Sequence, residues 1–146
     1  MRRVGVAIGL ASLLLIGCGA AATPSAAVGR ITLEVSGGFT GWDRTVAVEP
    51  DGSVTIRTVR PSPGTRVGHS LGDVDLKRLH SLIADASFAR LEPSYLPAAQ
   101  GADKQDYVVT AVVGSSVVRT MTRDGAAIPA ILRQVLDILI SVLSQG

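Results

Sequence analysis

Cysteine occurs once, at Cys18, so no disulfide within the chain can staple the fold. Aromatic residues are almost as scarce: two Phe, two Tyr and one Trp among 146 residues, which makes the position of each ring informative. Histidine appears twice, with neither a His-Glu-x-x-His pattern nor a cysteine pair, so the usual zinc-site spacings are missing. No apolar run reaches the about 20 residues that span a bilayer core. A surplus of charge is also lacking. The isoelectric point near 9.1 reflects fourteen basic residues against twelve acidic ones. Two of the basic residues, Arg2 and Arg3, lie in a segment that reads as removable, and without them twelve face twelve. That balance, with no basic run, argues against nucleic acid or an anionic lipid surface as the partner.

What is present begins with that segment. Met1-Arg2-Arg3 is a short positive stretch, and Val4 to Ile16 carries no charge. It has the layout of a secretion signal and ends in Leu15-Ile16-Gly17-Cys18, which resembles a bacterial lipobox. Such signals are cut before the cysteine, whose thiol then carries a thioether-linked diacylglycerol; Gly17 and Gly19 leave room for the processing enzymes. Acyl chains contribute about 0.8 kcal/mol per buried CH2, so two or three hold a protein on a membrane firmly. Residues 1–17 thus read as a lipoprotein signal peptide with Cys18 as the lipid attachment, on the extracytoplasmic side of the cell membrane. The competing reading is a plain secreted protein with an incidental cysteine. Residues 18–29, rich in alanine and other small residues, read as a flexible tether, and residues 30–146 as one α+β domain.

The domain is organised around residues 31–48. Ile31, Leu33 and Val35 alternate with Thr32 and Glu34, the period of a strand with one buried face, and Val46 and Val48 resume it. Between them Ser36, Gly37, Gly38, Thr40 and Gly41 supply turn chemistry. Phe39 and Trp42 sit in this turn, either as a lid over the core or as a recognition tip.

Pro50-Asp51-Gly52 marks a tight turn into an arm with Val54, Ile56 and Val59. The proline-bearing stretch Pro61–Gly72 reads as a loop. Inside it, Gly68-His69-Ser70-Leu71-Gly72 matches the nucleophile-elbow pattern of α/β-hydrolases. That elbow needs a strand before the serine, a helix after it, a large parallel sheet, and then an acid and a histidine. Only His80, with Asp73 and Asp75 between, follows, so a polar loop leading to a helix cap is the simpler reading. The same histidines and aspartates as metal ligands are disfavoured by their spacing.

Asp73 or Asp75 is placed to cap a helix whose Leu76, Leu79, Leu82 and Ile83 form one apolar stripe. Pro97 to Lys104 reads as an exposed loop. Tyr107–Val113 and Ser116–Thr122, joined by Gly114-Ser115, form a hairpin with a type I′ or II′ turn, and the run of valines predicts a strand covered on both faces. Pro129 fits the first turn of a helix carrying Ile128, Ile131, Leu132, Val135, Ile138, Leu139, Val142 and Leu143 on one side. Arg133, Gln134 and Asp137 exclude a membrane span there. The expected architecture is an antiparallel sheet of about four to five strands with two helices packed on one face.

The strand–Ser36-Gly37-Gly38-Phe39-x-Gly41–strand motif resembles the emfourin family of proteinaceous inhibitors of thermolysin-like zinc metalloproteases related to protealysin. The resemblance covers roughly residues 30 to 144, adding the helix after Asp73, Phe88-Ala89-Arg90-Leu91, the hairpin from Tyr107 and the last helix from Ile128. It implies a non-catalytic, monomeric inhibitor of an extracytoplasmic metalloprotease, without cofactor or metal of its own. Contact would come from Ser36, Gly37, Gly38, Phe39, Thr40, Gly41, Trp42 and Asp43, with Phe39 or Trp42 as anchor and Asp43 as a carboxylate toward the protease zinc. The lipoprotein signal and the Pro61–Gly72 insertion depart from simpler members of the family. The alternative from another class is an envelope lipoprotein that binds a ligand or scaffolds other envelope proteins.

Overall fold

The computed structural model describes residues 27–39, 41–99, 101 and 103–145. Ten elements follow one another: β1 (Val28–Gly37), β2 (Trp42–Val48), β3 (Ser53–Arg60), β4 (Gly64–Ser70), α1 (Asp73–Ala84), α2 (Ala86–Ala89), β5 (Ser94–Tyr95), β6 (Gln105–Val113), β7 (Ser116–Arg123) and α3 (Ala130–Gln145). The strands form one sheet in the order β4-β3-β2-β1-β6-β7-β5. All neighbours are antiparallel except β5, which runs parallel to β7.

This corrects the expected architecture. The domain is a mostly sheet fold, with 44% strand and 28% helix, built on a mixed sheet of seven strands with three helices. Two strands account for the difference. β4 lies inside the stretch read as a loop; all seven of its residues are exposed, so it shows no buried alternation and is held by its ladder to β3. β5 is two residues long and follows Pro93, whose carbonyl accepts from Met121 N at 3.0 Å. The buried Thr120 hydroxyl donates to Glu92 O at 2.8 Å and fastens the same segment to β7.

Period-two alternation sorts the sheet into two faces. Ile31, Leu33 and Val35 of β1 stand opposite Val48, Val46 and Arg44 of β2, and opposite Ala111, Val109 and Tyr107 of β6. With Val54 and Ile56 of β3 they meet Leu79 and Ile83 of α1, Phe88 of α2, and Leu132, Val135, Leu139 and Val142 of α3 in one core. The other face carries Thr32, Glu34, Thr45, Arg57, Val108, Thr110 and Val112. No described element lies over it, so β6 is covered on one face only, against the reading of its valines. Val108 and Val112 are half-buried there beside their cross-strand neighbours.

Turn chemistry follows the sequence closely. Gly52 N donates to Glu49 O at 2.9 Å with φ 85°, and Asp51 Oδ1 accepts from Ser53 N. Gly114 takes φ 59° and Ser115 no positive φ, the sign pattern of type II′. Three details differ from expectation. Gly72, not Asp73 or Asp75, is the N-cap of α1, leaving both acids in its first turn, where they favour the helix dipole. Pro129 precedes α3, and its carbonyl accepts from Arg133 N at 3.1 Å. Pro97 is buried rather than part of an exposed loop. In addition, Val28 and Gly29, assigned to the tether, belong to β1, where a Cβ on Gly29 would press on Val112 at 3.0 Å.

β6 and β7 are clamped at one end by the half-buried pair Asp106 and Arg123, with Nε to Oδ1 at 2.6 Å and Nη2 to Oδ2 at 3.0 Å. The hydrogen bonds from Arg123 hold the Asp106 carboxyl below its ordinary value of 3.8. The carboxylate form is therefore favoured in the folded state. Its contribution is complete above the unfolded value and disappears as pH falls through the lowered folded value. Asp106→Asn should lower stability at pH 7 by about 1 kcal/mol, and this difference from wild type should shrink in denaturant titrations carried down from pH 4 toward pH 2.

Candidate functional site

At one pole of the sheet the β1–β2 turn, the start of β6, the end of β7, the β3–β4 turn and the last turn of α3 come together. The β1–β2 turn is braced from below. Gly37 and Gly38 adopt φ 89° and 72°, left-handed values that other residues rarely take. Gly38 N donates to Lys104 O, and Gly41 N closes the turn onto Gly38 O, both at 3.0 Å. Lys104 Nζ in turn donates to Asp124 O, and Gln105 N to Asp124 Oδ2, each at 3.0 Å. A Cβ on Gly37 would sit 2.9 Å from Lys104 O, so the turn rests directly on the β6 backbone.

The residues singled out from sequence separate on this frame. Phe39 stands at the tip with 92% of its surface exposed. Trp42 points to the helix side instead, 36% exposed, with the Arg44 guanidinium 5.2 Å above its ring and Leu143 and Ser144 beside it. One ring is thus a tip and the other a partial lid on the core. Ser36 and Asp43 are cross-strand partners on the helix-free face, in a row that continues to Asp106 and Arg123 on one side and Arg60 on the other. Asp43 lies 3.9 Å from Arg60. Thr40 and Cys18 fall outside the described residues.

The nucleophile-elbow match has no supporting geometry. Ser70 ends an exposed antiparallel edge strand, no non-glycine residue among those described has a positive φ, and no hydrogen bond joins Ser70 to His69 or His80. His80 Nε2 is buried without a hydrogen-bond partner in α1, which places it in the helix packing rather than beside the serine. Among the described residues no group of three or more His, Cys, Asp or Glu gathers as a metal would require. Tyr107 is pushed up to about 12 by burial and by Asp124, so its hydroxyl stays protonated; it donates to Gln105 Oε1 at 2.9 Å.

Sequence reasoning missed the concave part of this pole. Two adjoining clefts of about 320 and 340 Å³ open on the helix side, beyond the end of α3. The first is lined by Arg44, Thr58, Ser62, Thr65 and Arg66; the second by Trp42, Pro61, Leu143 and again Arg44 and Ser62. Arg44 lies between the turn and the strand residues Val46 and Val48 and was given no role. Arg66 was hidden by the loop reading of β4.

No protein-family model matches the chain, and no curated protein does. No described helix is long and apolar enough to cross a membrane.

Gly37→Ala would force a side chain against the Lys104 carbonyl at an unfavourable φ. The expected outcome is a loss of about 1–3 kcal/mol in thermal denaturation, with faster amide exchange at Gly38 and Gly41 than at the β6–β7 turn.

Proposed function

We propose that the protein is a lipid-anchored extracytoplasmic inhibitor that covers the active-site cleft of a thermolysin-like zinc metalloprotease. The observation that carries this reading is Phe39, held in water at the apex of a turn braced by backbone hydrogen bonds. A phenylalanine left exposed forfeits roughly 1.5–3 kcal/mol of burial, which an interface recovers when the ring enters an apolar pocket. Preorganisation favours the same role, because a turn already fixed by Gly37, Gly38 and Lys104 has little conformational entropy left to lose on docking. The resemblance of the Ser36–Gly41 motif to the emfourin family supplies the protease class. Trp42, packed against Arg44, supports the tip rather than leading it. Asp43 faces Arg60, so its role toward a zinc ion has less support than the role of Phe39.

The full chain in detergent micelles, titrated into a purified thermolysin-like protease, should abolish peptidase activity near one-to-one stoichiometry. Phe39→Ala should weaken that inhibition by tenfold or more at unchanged thermal stability. Unchanged activity across several such enzymes would favour a ligand-binding or scaffolding envelope lipoprotein instead.

The membrane part of the reading rests on the Leu15–Cys18 sequence. In a bacterium expressing the chain, labelled palmitate should enter the wild-type protein and be absent from Cys18→Ser.

A further inference from the structure

The paired clefts beside Trp42 combine features that the inhibitor reading does not use. On the helix side of the sheet, Arg44, Thr58 and Gly64 stand in one cross-strand row, and Val46, Ile56 and Arg66 in the next. Arg44 and Arg66 therefore sit diagonally across β3, on the rim of one polar cleft. Gly64 deepens it, because a Cβ there would meet nothing within 4 Å. Thr58 and Ser62 add hydroxyl-bearing side chains to the lining, and among the described residues no carboxylate lines either cleft.

Arg44 is half-buried; it donates to Leu143 O at 3.1 Å and stacks on Trp42, but among the described residues neither it nor Arg66 belongs to an ion pair. Two arginines on the rim of one recess that also carries hydroxyl side chains make a site for an oxyanion, which their planar donor forks match. The adjoining cleft is more apolar, walled by Trp42, Pro61 and Leu143, and shares Arg44, Thr58 and Ser62 with the first. A ligand filling both carries a negative group directly beside a large apolar one. Gly64, Thr65 and Arg66 also belong to β4, an edge strand with no strand neighbour on its outer side among the described residues. Its unpaired backbone groups suit an extended chain.

We infer that this pole is a binding site for a peptide C-terminus ending in a large apolar residue. The terminal carboxylate sits between Arg44 and Arg66, the last side chain lies in the Trp42–Pro61–Leu143 cleft, and the preceding residues pair with the edge of β4. The inference stands on the clefts, not on the Phe39 tip, and no protease enters its test.

Trp42 is the sole tryptophan, so its emission reports ligand entry directly. The full chain in detergent micelles is titrated with an acetylated hexapeptide of alternating Thr and Val ending in Leu with a free carboxylate. The same peptide amidated, N-acetyl-leucine and inorganic phosphate serve as comparisons. The free acid should bind saturably and shift the emission, with the amide at least tenfold weaker. Arg66→Gln, an exposed substitution, should cost about tenfold, and Arg119→Gln on the helix-free face should cost nothing. Equal binding of acid and amide, or no binding of either, would overturn the proposal. N-acetyl-leucine or phosphate binding as tightly as the peptide would overturn it too, by reducing the site to one for a small acid or a bare anion.

Discussion

The structure depends on the pairing of β1 with both β2 and β6. β1 carries Ile31, Leu33 and Val35 toward the helices, and each meets a residue in register on either side, so the apolar face widens strand by strand from the middle of the sheet. A slip of one residue would turn Thr32 and Glu34 into the core and strand all three hydrophobes in water. Without a disulfide, this register and the α1 and α3 stripes packed on it carry the stability of the domain. The candidate site is a by-product of the same pairing, because β1 and β2 must reverse direction at Gly37–Gly41 and the reversal projects Phe39.

Much of this was legible because burial writes a period into the chain. Alternation marked β1, β2 and β3, β-branched arms around Gly114-Ser115 marked β6 and β7, and spacings of three and four marked α1 and α3. Pro-Asp-Gly and Gly-Ser announced their turns through the special backbone each requires. The errors fall where burial is absent. β4 is exposed along its whole length and contains Gly64 and Gly68, so nothing in its composition distinguishes it from a loop. β5 is fixed by contacts between backbone and distant residues, Pro93 with Met121 and Glu92 with Thr120, which have no local signature. The valines of β6 misled in the opposite direction: their run suggested two covered faces, but among the described residues no element lies over Val108 and Val112.

The candidate site shows the same division. That aromatic residues occupy a glycine turn could be read from the sequence, but not which ring faces outward. Strand parity decides it: Trp42 shares the face of Arg44 and Val46 and falls beside Leu143 at the end of α3, while Phe39 lies beyond the last ladder pair. The Arg44–Arg66 recess was invisible, since its two cations are 22 positions apart and become neighbours only through β3, which lies between them.

The direction of β1 has a geometric consequence. The strand enters the sheet at Val28 and leaves it at Gly37, so at about 3.3 Å per residue the two ends stand about 30 Å apart. The Phe39 turn and the neighbouring arginine recess therefore stand at the opposite end of the sheet from the point where the chain enters it.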